Sequence, residues 1–191
     1  EKVFEMHKPE IIFHLAAHIK LRNSILNPVY DAEENILATL NLLEMAVKYN
    51  VKHFIFSSSA AVYGDAKEFP ISEENSAVPL SPYACSKLSI ERYLEFYNKH
   101  HNLKYTILRY SNVYGPRQDS DGEAGVISIF FNNLAKKQNP VVFGGIQTRD
   151  FVYVEDVAKA NLLALEDKKS EIYNVGTGKE TDIIEILSRI N

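Results

Sequence analysis

The sequence predicts an α/β fold built on a doubly wound parallel sheet. Three observations predict it. The segments EIIFHL, VKHFIF and LKYTIL are nearly continuous apolar runs, as strands buried on both faces are. Long stretches of helical periodicity separate them, which is the pattern of parallel strands joined by crossover helices. Each run then breaks into small, hydroxylated or amide residues, HLAA, SSSAAVYG and RYSNVYG, at the carboxyl end where ligands bind in open α/β sheets.

Taken in order, a short helical segment around Val3 to His7 precedes a strand from Glu10 to Leu15, entered through Pro9. A long helix follows, capped by Asn27, with Pro28 at its first position; Ile36, Leu40, Leu43 and Val47 carry it to Asn50. The second strand leads through a loop containing glycine and proline to a helix opened by Ser81 and Pro82, and then to the third strand. Beyond Gly115 the pattern changes to a polar loop, the helix VISIFFNNLAKK, and short strands at Val141 to Phe143 and Phe151 to Tyr153. The helix EDVAKANLLALE, the strand EIYNV and a last helix near Thr181 complete the chain. The expected organisation is a core of residues 1–113 rejoined by 151–175, and a partial smaller lobe formed by 114–150 and 176–191.

Charge and composition exclude several classes. A net charge of −4 with few basic doublets argues against nucleic acid as a partner. No apolar run approaches the roughly 18 residues of a membrane span. The one cysteine, Cys85, rules out an internal disulfide and fits a reducing, cytoplasmic setting; between Tyr83 and Lys87 it reads as a small packing residue. His14 and His18 stand four apart without further ligands, which leaves the metal expectation at none.

The helix SPYACSKLSIERYLEFY carries the chemistry. Tyr83, Lys87, Ile90, Leu94 and Tyr97 step by four and three, forming one stripe, while Glu91, Glu95, Asn98 and Lys99 are expected on the opposite, solvated side. Ile90 and Leu94 make the stripe the buried one. A lysine there needs a partner, because burying an unpaired charge costs several kcal/mol. Y-x-x-x-K occurs twice in the sequence, but YGDAK, Tyr63 to Lys67, contains Gly64 and Asp65 and reads as a loop. Only Tyr83 and Lys87 can share a helix face. A phenol with a pKa of about 10 is a poor base at neutral pH, and a neighbouring ammonium lowers that value. The alternative is a phenol packed in the core with the lysine reaching outward.

HLAA, SSSAAVYG, SPYACSK, LRYSNVYGPRQ, QTRDFVYVEDVAKA and YNVGTG, six motifs in order over almost the whole chain, resemble the extended short-chain dehydrogenase/reductase family of NAD-dependent nucleotide-sugar epimerases and dehydratases. The resemblance implies a Rossmann-type core with NAD as cofactor. By the same matching, Tyr83 is the catalytic base, Lys87 holds the nicotinamide ribose and tunes Tyr83, and Ser59 bridges substrate and tyrosine. Ala16, Ala17, Asn35, Ser57 and Tyr110 would line the NAD site with Tyr83 and Lys87. Asn112 and Arg149 would hold the sugar diphosphate, and Phe143 would stack on the uracil, Ser59 completing the substrate contacts. Arg149 suits phosphate on physical grounds too, the other possibility being an ion pair with Asp150 or Glu155.

The implied activity is epimerisation at C4 of a UDP-sugar, UDP-glucose or UDP-galactose, by hydride transfer through a 4-keto intermediate. Ala60 and Ala61 stand where dehydratases of the family carry an acid. Other readings are a UDP-GlcNAc or UDP-glucuronate epimerase, a reductase, or an inactive fragment that only binds or oligomerises. A homodimer is expected, pairing the helices that begin at Pro28 and Pro82.

One part of the pattern is missing. No G-x-x-G-x-x-G or G-x-G-x-x-G turn follows a strand, and GTG at Gly176 to Gly178 comes too late in the chain to be it, reading instead as a turn of the smaller lobe. The expectation is a fold truncated at its N-terminus by roughly 60 residues, whose isolated chain is inactive and binds NAD weakly.

Overall fold

The computed structural model of the chain describes residues 1–120, 125–142, 144, 147–167 and 169–190. The chain divides into two units, Glu1–Arg109 with Asn161–Asn174, and Tyr110–Ala160 with Val175–Asn191.

In the first unit, α1 (Lys2–His7) leads to β1 (Ile11–His14), α2 (Leu21–Leu26), α3 (Pro28–Ala32), a π-helical segment (Glu33–Leu37) and α4 (Ala38–Lys48). Then come β2 (His53–Ser59), a 3₁₀ turn (Ala60–Tyr63), α5 (Pro82–His101) and β3 (Lys104–Tyr110). The helix expected from Pro28 is therefore continuous but locally underwound between α3 and α4. Asn27 accepts a hydrogen bond from the Tyr30 amide at its start, and Asn50, at φ 55°, follows its end.

β4 (Asn112–Tyr114), α6 (Val126–Ala135), β5 (Thr148–Arg149) and β6 (Phe151–Tyr153) follow, then α7 (Val154–Leu163), β7 (Glu171–Val175), β8 (Thr181–Asp182) and α8 (Ile183–Ile190). The main sheet has the order β1-β2-β3-β7, with β1 parallel to β2 and His14 opposite Phe56. This is the Rossmann-type α/β arrangement expected from the sequence.

Alternation along β2 sends Phe54 and Phe56 into a core with Leu43 and Ala46 of α4, Ile90, Leu94 and Tyr97 of α5, and Tyr105 and Ile107 of β3. His53 is likewise buried, and its Nε2 lies 2.9 Å from Thr106 Oγ1. In the second unit, Phe130 of α6 packs with Ile183 and Ile186 of α8.

Some local expectations change. Val141 and Val142 lie in no strand, and Phe143 falls outside the described residues. Cys85 is exposed rather than packed, since its position on α5 turns it away from the buried stripe.

Candidate functional site

The start of α5 is fixed before any functional group is placed on it. Ser81 Oγ accepts the Ala84 amide at 3.2 Å, and Pro82 occupies the first turn. The Tyr83 amide donates to Ser24 Oγ of α2 at 3.3 Å, and the Ser24 hydroxyl in turn donates to the Leu21 carbonyl at 2.7 Å. From this anchored turn the stripe runs as expected: Lys87, Ile90, Leu94 and Tyr97 are buried and Tyr83 is half-buried.

Lys87 is only 3% exposed, and its Nζ donates to the Ser57 carbonyl at 2.7 Å, near the carboxyl end of β2. It stands 4.7 Å from the centroid of the Phe56 ring and 5.8 Å from that of Tyr83. Burial pulls its pKa down to about 8, against the upward pull of Asp31 and Glu91. Ser59 caps the 3₁₀ turn by accepting the Ala61 amide at 3.2 Å, and its hydroxyl is within hydrogen-bonding reach of the Tyr83 phenol. Burial holds that phenol above its ordinary pKa, a bond from Ser59 opposes the rise and Asp31 adds to it. The expected lowering of the phenol by the ammonium is not what the site shows: burial raises it, and the opposing pull comes from Ser59. Ser57, Ser59, Tyr83 and Lys87 do converge at one strand end.

The other Y-x-x-x-K pair separates. Tyr63 ends the 3₁₀ turn with its hydroxyl donating to Asn174 Oδ1 at 2.7 Å, while Lys67 is exposed and bridged to Asp65.

Asn35 sits in the π-helical segment, a feature frequent at functional sites. Its amide reads both backbone groups of His18: Oδ1 accepts the His18 N–H at 2.9 Å, and Nδ2 donates to the His18 carbonyl at 3.0 Å. Nδ2 also donates to Asp31 at 3.1 Å. Asn35 thereby fixes the segment that leaves β1 and carries Ala16 and Ala17, of which Ala16 is exposed and Ala17 half-buried. Beside it, Thr39 donates to the Asn35 carbonyl at 2.6 Å, so its oxygen accepts from His14 Nε2 at 2.8 Å. That contact sets the His14 tautomer, and burial together with the Lys87 charge lowers the His14 pKa to about 4.

Glu91 corrects the sequence reading. Expected on the solvated side, it is 1% exposed and forms a two-pronged pair with Arg109 of β3, Nε to Oε1 at 3.0 Å and Nη2 to Oε2 at 2.6 Å. Ser58 donates to the same carboxylate at 2.6 Å, and Arg109 donates to the Tyr63 hydroxyl at 2.8 Å. The helix is covered over more than its apolar stripe, and the acid one turn beyond Lys87 faces the sheet.

Tyr110, Asn112 and Arg149 belong to the second unit. Tyr110 is half-buried and Asn112 exposed. β4 pairs in parallel with β6, Asn112 opposite Phe151, and the Asn112 amide donates to the Asp150 carbonyl at 2.9 Å. Arg149 lies outside that ladder, in β5, opposite Thr181 of β8. Arg149 is exposed and donates to the Thr148 carbonyl at 2.7 Å. Asp150 is engaged elsewhere, its carboxylate accepting from the Thr177 amide and hydroxyl and from the Gly178 amide at 2.6 to 3.0 Å. A Cβ on Gly176 would meet Asp150 Oδ2 at 2.4 Å, which explains glycine there. The GTG turn is thus held by the residue beside Arg149, a role the sequence does not reveal.

The first unit's groups fit part of NAD. An ammonium has three donors, Ser57 takes one, and the small residues after β1 leave the backbone approachable by a ribose. Among the described residues, no three His, Cys, Asp or Glu side chains gather as a metal group, and no helix is long and apolar enough to cross a membrane.

The model of the NAD dependent epimerase/dehydratase family matches residues 1–176. A protein of Methanocaldococcus jannaschii is 54% identical over 183 residues, covering 95% of this chain and 60% of its own length. The crystal structure of UDP-glucose 4-epimerase from Thermotoga maritima with UDP-glucose superposes with a TM-score of 0.95 at 46% identity, over 98% of this chain and 62% of that one. The UDP-N-acetylglucosamine 4-epimerase of Methanobrevibacter ruminantium M1, in complex with UDP-N-acetylmuramic acid, superposes with a TM-score of 0.92 at 40% identity, over 95% of this chain and 59% of that one. The chain spans about 60% of the length of the M. jannaschii relative.

Proposed function

The chain belongs to the NAD dependent epimerase/dehydratase family, and from that premise we propose that the protein epimerises C4 of a UDP-hexose, interconverting UDP-glucose and UDP-galactose. The observation that carries this reading is the convergence of Ser59, Tyr83 and Lys87 beside Ala60 and Ala61. It is a site with a base and its supporting ammonium but no acid to expel water from the sugar.

Tyr83 accepts the proton of the 4-hydroxyl, directly or through Ser59, as C4 is oxidised to a ketone, and returns it when C4 is reduced on the opposite face. Lys87 holds the ribose hydroxyls and supplies the positive charge that favours phenolate. NAD, when bound, supplies the hydride acceptor and donor. Ala16, Ala17, Asn35, Ser57 and Tyr110 complete the cofactor side in this reading. Asn112 and Arg149 take the diphosphate, the neighbouring Asp150 carboxylate being engaged with Thr177 and Gly178, and Phe143 takes the uracil. The first unit acts as the cofactor core and the second as the sugar-nucleotide lobe.

A homodimer is part of the proposal. Leu26, Val29 and Leu37 leave an exposed apolar flank along α2, α3 and the π-helical segment, and Tyr93 and Phe96 do so on α5. The cytoplasm is the proposed location, from the single cysteine.

The relatives leave a second substrate in play, since one similar structure is a UDP-N-acetylglucosamine 4-epimerase. Incubating the full-length protein with UDP-glucose, UDP-GlcNAc and UDP-glucuronate, and identifying products by NMR, tests the reading. UDP-galactose from UDP-glucose supports it, and conversion of UDP-GlcNAc alone reassigns the substrate. A 4-keto-6-deoxy product overturns it.

A further inference from the structure

The reaction proposed above uses Tyr83, Lys87 and Ser59, yet the carboxylate most completely enclosed near them belongs to none of these roles. Asp31 of α3 is 0% exposed. Its oxygens meet groups from three places in the chain. Ser86 of α5 donates to Oδ2 at 2.7 Å, Asn35 of the π-helical segment donates to Oδ1 at 3.1 Å, and His18 Nδ1, on the segment leaving β1, stands 3.4 Å from Oδ1. Ser86 and Lys87 are neighbours in sequence. Asn35 and His18 are themselves locked together by two backbone contacts.

We propose that Asp31 is a positioning residue of the reaction: its carboxylate braces the opening turns of α5 against the segment that leaves β1, and its charge keeps the Lys87 side chain an ammonium. The proposal rests on the epimerase reading for its reaction, but its physical content concerns this chain's own groups.

Energetics decide for a role beyond packing. A buried carboxylate costs several kcal/mol unless compensated, and an asparagine would fill the same space without the charge, though with one acceptor oxygen in place of the two that Ser86 and Asn35 donate to. The charge therefore calls for a beneficiary. The charged and titratable groups around Lys87 are Asp31 from α3, Glu91 from its own helix, His14 from β1 and the Tyr83 phenol one turn before it. Glu91 is matched by Arg109 in a two-pronged pair. His14 is held neutral, its pKa pulled to about 4. Around Asp31 itself the groups are His18, Lys87 and Tyr83. Among these, Asp31 is the charge whose removal changes Lys87 most directly. Its loss makes the ammonium easier to deprotonate, starting from a pKa already brought down to about 8 by burial.

The test uses the full-length protein and the variants Asp31→Asn and Ser86→Ala. The Lys87 Nζ titration is followed by 15N-lysine NMR, beside the pH profile of turnover and the melting temperature. For Asp31→Asn the expected result is that the Lys87 titration and the alkaline limb of turnover both move to lower pH by about half a unit or more. For Ser86→Ala, which removes the brace and keeps the charge, the limb stays in place while kcat falls about 3- to 10-fold with KM for the UDP-sugar unchanged. A lower melting temperature or turnover in Asp31→Asn with neither titration nor limb displaced overturns the proposal. If Asp31→Asn does not fold, an unchanged kcat in Ser86→Ala overturns it and the expected fall supports it. Should the wild type turn over no UDP-hexose, the epimerase reading fails, and the Nζ titration still decides for or against Asp31.

Discussion

Replacing Glu91 with glutamine should be among the most destabilising single changes in the protein. The substitution keeps the shape and removes the charge facing Arg109, whose side chain is 4% exposed against 1% for Glu91. Burial alone would lower the Arg109 pKa, and the bonds to Glu91 and Tyr63 reverse that and raise it. Glu91→Gln leaves this guanidinium buried without its counter-charge, and breaking a buried pair in this way costs about 3–5 kcal/mol. Total stabilities lie at about 5–15 kcal/mol, so the variant loses a large share of its margin.

The same helix carries its own control. Arg92 and Glu95 form a pair with side chains 64% and 36% exposed, and an exposed pair is worth about 0.2–1 kcal/mol. Glu95→Gln should therefore change stability by less than about 1 kcal/mol. Urea unfolding of both variants, read at constant m, makes the comparison. The double variant Glu91→Met, Arg109→Met should recover most of the loss, since replacing both partners of a buried pair by apolar groups is often near neutral. Equal effects of Glu91→Gln and Glu95→Gln would refute the reasoning, as would a double variant as unstable as the sum of its singles.

Three further outcomes are expected. Tyr83→Phe should lower kcat by about 10²-fold or more with substrate affinity nearly intact, because it removes a proton acceptor and little volume. Tyr63→Phe, which loses bonds to Asn174 and Arg109, should instead cost about 1–3 kcal/mol of stability and little turnover; equal kinetic losses would reverse the choice between the two pairs. His14 and His53 have their pKa values lowered from an ordinary 6.5 to about 4, mainly by burial. The unfolded chain thus binds more protons in that window, so stability present above pH 6.5 should fall as the pH drops towards 4. Melting curves across the interval should show a weaker acid dependence in His53→Asn than in the wild type.

How much of this the sequence reveals depends on the range of each interaction. The stripe from Tyr83 to Tyr97 is legible because helical spacing is local, and Ile90 and Leu94 say which side is buried. Glu91 is misread for the complementary reason: its partner Arg109 lies 18 residues on, in a strand, and only the packed helix brings them together. Asp31 meets Ser86 across 55 residues of sequence, with no local pattern to mark either. The two-residue strands β5 and β8 and the π-helical segment have too few residues for a period to show. The small size of Cys85 suggests packing, whereas its exposure follows from the rotation of α5. Adjacency in sequence suggests Asp150 as a partner for Arg149, yet its carboxylate is taken by the turn at Thr177 and Gly178. The convergence of Ser59 with Tyr83 was legible only through the ordered motifs, since nothing in spacing alone brings a strand end to a helix start.

On the proposed function, this site oxidises and re-reduces C4 of a UDP-hexose without exchanging that hydrogen with water. Turnover of UDP-galactose carrying deuterium at C4 by the full-length protein, with no reduced cofactor added, tests it directly. The expected product is UDP-glucose with the label still on C4. Label lost to solvent, or a 4-keto-6-deoxy sugar as the product, would contradict it.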